Sequence, residues 1–87
     1  MMNNTIEIIQ SMREKFGWDQ TDSIPFLIDA LHEEVLELKE SLNEFDQAFQ
    51  DELADVLMYA ISIAIDKGYD IEKIIYEKAK KVEKREY

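Results

Sequence analysis

The residues best placed to do chemistry are two short clusters of acids. Glu33, Glu34 and Glu37 form the first, and Glu52 and Asp55, after fourteen intervening residues, form the second. Glu34/Glu37 and Glu52/Asp55 each have i, i+3 spacing, which puts both carboxylates of a pair on one face of a helix. At about 100° per residue, Glu34 falls only about 20° from Leu27, on the face of Leu31 and Leu38. Glu33 points to the opposite side with Asp29 and Glu40, where water can reach it. If the two segments form a helical hairpin, the pairs face each other. Four carboxylates gathered in a partly apolar place repel one another and lose hydration. A hard divalent cation relieves both costs, and Mg²⁺ or Mn²⁺ accepts an all-oxygen ligand set. The alternative is a set of ordinary solvated acids on the rim of a bundle.

The rest of the composition narrows the classes. The chain has 87 residues, ten basic and twenty acidic, for a net charge of −10. Residues 29–55 hold ten of the acids against one base, Lys39, whereas the bases gather towards the C-terminus. That balance argues against nonspecific nucleic-acid binding, because the phosphates would be repelled. There is no cysteine, which excludes disulfides, thiolate metal sites and a cysteine nucleophile. The single histidine, His32, lies on the far side of its helix from the acids and reads as solvated. One histidine does not supply the Glu-x-x-His pairs of a di-iron or di-manganese bundle. The longest nearly apolar run, Leu53 to Ile65, is too short to span a bilayer. No basic stretch precedes an apolar one at Met1-Met2-Asn3-Asn4, so the expectation is a cytoplasmic protein.

The elements that must position the acids are helices. Two glycines and one proline leave little turn chemistry for strands. Ile6, Ile9, Met12 and Phe16 recur at helical spacing and predict a first helix from about Asn4 to Phe16, stopped by Gly17. Trp18 to Ser23 reads as a loop. Ser23 caps a second helix with Pro25 in its first turn, running to about Leu42. A third spans about Ala48 to Lys67 and ends at Gly68. Asp70 caps a fourth, from Ile71 to about Lys84, with the stripe Ile71, Ile74, Ile75, Ala79 and Val82. The expected fold is therefore all-α, a single domain over 1–87 built as a four-helix antiparallel bundle. The apolar arc of the third helix is about 220° wide, more than so small a monomer can cover. A core completed by homo-oligomerisation, as a homodimer or dimer of dimers, is the expectation.

Glu33-Glu34-Val35-Leu36-Glu37 followed by Glu52-Leu53-Ala54-Asp55 is an EExxE…ExxD pattern. It resembles the MazG-type nucleotide pyrophosphohydrolases, all-α enzymes related to the dimeric dUTPases. The segment Met12 to Thr21, with Trp18-Asp19, resembles the stretch that precedes the acidic helix in that family. Glu52 to Tyr59 resembles its second metal helix, and Lys78…Arg85 its basic phosphate-side helix. The likeness runs over about residues 5–86.

The resemblance implies a Mg²⁺-dependent hydrolysis of nucleoside triphosphates to monophosphate and pyrophosphate, with Mn²⁺ as a possible substitute. It implies Glu34, Glu37, Glu52 and Asp55 as metal ligands and as the acids of the reaction. Trp18 is implied as a stacking platform for the base; its plainer role is a hydrophobic plug. Tyr59, one turn after Asp55, either touches the sugar or base or packs at an interface. Lys78 and Arg85 are implied phosphate contacts, and a solvated polar face is their alternative. Between them, Val82 stands where related sequences often carry asparagine. The competing functional class is a catalytically silent helical module that keeps the fold for dimerisation or regulation.

Overall fold

The computed structural model describes residues 2–85. The outermost residues of the expected 1–87 domain, Met1, Glu86 and Tyr87, lie outside that range. All regular structure among the described residues is helical. Five α-helices follow in order: α1 (Met2–Phe16), α2 (Trp18–Thr21), α3 (Ile24–Glu40), α4 (Asp46–Asp66) and α5 (Ile71–Glu83). A 3₁₀ turn, Ser41–Asn43, links α3 to α4.

The helix ends follow from local chemistry. Gly17 takes φ 73° between α1 and α2, a left-handed conformation that costs glycine nothing. The Ser23 hydroxyl accepts from the Phe26 N–H at 3.2 Å and starts α3, with Pro25 in the first turn. Gly68, also at φ 73°, closes α4, and Asp70 caps α5 by accepting from the Lys73 N–H at 3.1 Å. Two boundaries differ from the sequence reading. Trp18–Thr21 winds into a single helical turn, because the left-handed Gly17 restarts the helix rather than ending it. The helix α4 begins at Asp46, two residues early, since no residue there resists helical geometry.

The main packing unit is the α3–α4 hairpin, antiparallel because its link is short. The α1 helix lies against α4. Four apolar side chains are buried among the described residues: Ile9, Leu27, Ala64 and Ile71. The fourth arm of the expected bundle is not closed. In α5 only Ile71 is buried, and every residue from Glu72 to Arg85 is exposed. Its stripe of Ile74, Ile75 and Val82 is exposed, and among the described residues no helix packs closely along it.

The two faces of α4 sort in an unexpected way. Glu52, Asp55, Tyr59 and Ser62 are turned inward, while Leu53 and Leu57 lie 40% and 52% exposed on the outside. Phe45, Leu42, Ile8 and Ile75 are more exposed still. The chain presents 6932 Å² of accessible surface, against about 5,400 Å² for a compact monomer of its mass. Its radius of gyration is 14.7 Å, against about 12 Å for a compact chain of this length. No helix among the described residues is long and apolar enough to cross a membrane.

Candidate metal and nucleotide site

The hairpin brings the two acidic clusters together. Glu34 and Glu37 project from the middle of α3, and Glu52 projects from α4 opposite them. One carboxylate oxygen from each of these three residues lies within 4.8 Å of the others. Asp55 is not part of that close triad. It sits one turn along α4 from Glu52 and lines the adjoining cavity with Glu34. Glu33 is exposed, as its helical angle predicts, and so is His32.

The electrostatics are those of crowded anions. Glu34 Oε2 and Glu52 Oε2 are buried and have no hydrogen-bond partner. An orphaned buried carboxylate oxygen carries the full desolvation cost of its charge. Accordingly the Glu34 carboxyl is pushed up to about 7 by burial, then by the adjacent Glu37 carboxyl and the charge of Asp55. Glu52 is raised too, chiefly by burial, against the opposing effect of the neighbouring Glu34 carboxyl. These donors suit a hard cation: all are oxygens, they converge, and two have nothing else to bind. The cluster can hold a metal ion.

Beside the acids lies a cavity of about 300 Å³ between α1, α3 and α4. Its walls include Trp18, Asp22, Leu27, Tyr59, Glu34 and Asp55. A second recess of about 180 Å³ shares Trp18, Asp22 and Tyr59 and adds Phe26. Trp18 stacks on Phe16 at 4.8 Å between ring centres, with the left-handed Gly17 between them. Trp18 is 42% exposed and lines the cavity. The Tyr59 phenol is raised above its ordinary range by burial and by the charges of Glu34, Asp22, Asp55 and Glu37. It remains a neutral O–H donor at physiological pH.

Lys78 and Arg85 lie elsewhere. Lys78 lines a shallow apolar groove on α5 with Ile74, Ile75, Ala79 and Val82. Arg85 follows the end of α5 and is exposed. Neither lines the cavity beside the acids.

Two residues at the site escaped the sequence reading. Arg13 is buried, and its Nη1 and Nη2 donate to the two carboxylate oxygens of Asp66 at 2.9 and 2.8 Å. The signal was its position four residues after Ile9, on the apolar side of α1. There an arginine needs a buried acceptor. Asp22 was hidden among capping-type residues, although α3 needs only one side-chain cap and Ser23 provides it.

The fold and site together define an all-helical protein whose central hairpin carries an acidic cluster able to hold a metal. Residues 23–87 match the family described as the MazG nucleotide pyrophosphohydrolase domain, and the chain belongs to that family. The match begins at the cap of α3, so it spans both acidic clusters and leaves Trp18 outside. No curated protein and no solved structure matches the chain.

Proposed function

We propose that the protein is a Mg²⁺-dependent pyrophosphohydrolase that cleaves (d)NTPs to (d)NMP and pyrophosphate. Mn²⁺ is a possible substitute, and nucleotide-pool housekeeping is the proposed role. The observation that carries this reading is the pair of buried, unpartnered oxygens on Glu34 and Glu52 within the carboxylate triad. Family membership supplies the reaction class.

Glu34, Glu37, Glu52 and Asp55 would hold the metal. When bound, the cation neutralises the polyphosphate and acidifies a water. The chain's own residues do the rest. A carboxylate of the cluster takes the proton of the attacking water. The cavity receives the base and excludes water around it, with Trp18 as a stacking surface and Tyr59 against the sugar or base. Lys78 and Arg85 hold phosphate oxygens once the protein is assembled.

The proposed assembly is a homodimer or a dimer of dimers. The surplus of about 1,500 Å² over a compact monomer is nearly twice the 800 Å² per partner of a standard interface. The outward leucines of α4 and the stripe of α5 are the surfaces it would cover.

The deciding experiment is pyrophosphate release from a panel of NTPs and dNTPs with Mg²⁺, Mn²⁺ or EDTA. Metal-dependent release of pyrophosphate and monophosphate is the expected result. No release from a folded protein would favour the silent dimerisation module. One observation speaks for that second reading: Lys78 and Val82 share an exposed groove on α5, away from the acids.

A further inference from the structure

Asp22 is an acid without a structural task. It is half-buried in the link between α2 and α3. Only its backbone closes α2, donating its N–H to the Trp18 carbonyl at 2.9 Å. The cap of α3 belongs to Ser23. Its Oδ1 receives a long 3.5 Å contact from the Thr21 hydroxyl, the one hydrogen bond to this carboxylate among the described residues. Arg13 feels the charge of Asp22, but its guanidinium directs its hydrogen bonds to both oxygens of Asp66. Asp22 instead lines both recesses, each time together with Trp18 and Tyr59.

An ionised carboxylate offers acceptors only. It therefore sorts planar bases by the donors on their edges. Guanine presents two adjacent donors, N1–H and the 2-amino group, which match the two oxygens of one carboxylate. Hypoxanthine lacks the amino group. Uracil and thymine present one N–H between two carbonyls, which the carboxylate repels. Adenine and cytosine present one amino group beside an acceptor nitrogen. A cavity of about 300 Å³ is at the small end of ligand pockets and suits one ring system. Glu34 and Asp55 line the same cavity, so a base seated there keeps its phosphates within reach of the acids.

We propose that this cavity selects guanine nucleotides, with the Asp22 carboxylate accepting from the N1–H and 2-amino group of the base. The Tyr59 hydroxyl supplies the donor for the base carbonyl. This deepens the nucleotide reading above and rests on it.

The test separates base recognition from turnover. Trp18 is the only tryptophan, so its emission reports directly on the cavity. The whole protein is titrated with GMP, IMP and UMP in EDTA, where hydrolysis plays no part. GMP should bind about tenfold or more tighter than IMP and UMP, the range expected of a bidentate base contact. Asp22→Asn should bring GMP down to the level of IMP and leave UMP unchanged, with helix content intact by circular dichroism. Equal affinities for the three nucleotides in the unaltered protein would overturn the proposal, even if Asp22→Asn fails to fold. So would an undiminished GMP preference in Asp22→Asn. GMP preference without pyrophosphate release would retire the catalytic reading and leave the guanine site standing. Release from all triphosphates without base preference would do the reverse.

Discussion

Arg13 and Asp66 meet through two parallel N–H···O bonds across 53 positions of sequence and tie α1 to the end of α4. Arg13 is buried, while a quarter of the Asp66 side chain is accessible. Breaking such a pair from one side strands a charge and costs about 3 kcal/mol. Arg13→Ala and Asp66→Ala should each lower the urea midpoint accordingly. Arg13→Met combined with Asp66→Leu should lower it less than either, since no charge is left unpaired.

The acids are expected to separate turnover from folding. Glu37→Ala or Asp55→Ala should abolish metal-dependent pyrophosphate release while helix content is retained. Paired activity and far-ultraviolet dichroism measurements check this. Full activity in either variant would remove that residue from the site.

Proton binding at Glu34 gives a pH signature. Burial and its neighbours raise this carboxyl from 4.5 to about 7. Between those values the folded chain keeps a proton that the unfolded chain releases. The stability it contributes is complete below pH 4.5 and is lost as pH rises through about 7. Melting curves of metal-free wild type and Glu34→Gln should therefore diverge across that window, with the wild type losing ground as pH rises. Mg²⁺ competes with the proton, so its affinity should increase over the same range.

Assembly is checked by sedimentation. At micromolar concentration no stable monomer is expected. Leu57→Asp or Ile75→Asp, at sites 52% and 61% exposed in the single chain, should produce a 10 kDa species. A surface change of this kind would be nearly silent in a true monomer.

The helices and acidic pairs were legible because both obey short-range rules. Helical angle alone separated Glu34 from Glu33, and the spacing of Glu52 and Asp55 put them on one strip. Ser23, Gly68 and Asp70 marked helix ends by local hydrogen bonding and backbone preference. Arg13 and Asp66 were not legible as a pair, because their contact depends on how α1 crosses α4. The splay of α5 was hidden for a similar reason. Its stripe announces that it will be covered, and periodicity does not say by what. Asp22 was obscured by its own residue type, which is as common in turns as in sites.

The polar strip of α4 repeats at Glu52, Asp55, Tyr59, Ser62 and Asp66, alternating steps of three and four residues. That is the rhythm at which a helical pair normally places leucine. Leucine at Glu52 or Asp55 should therefore stabilise the hairpin against urea and heat while ending metal binding. Selection for robustness and selection for chemistry pull this seam in opposite directions. A screen for thermostable variants would be expected to find its gains first among the residues that carry the function.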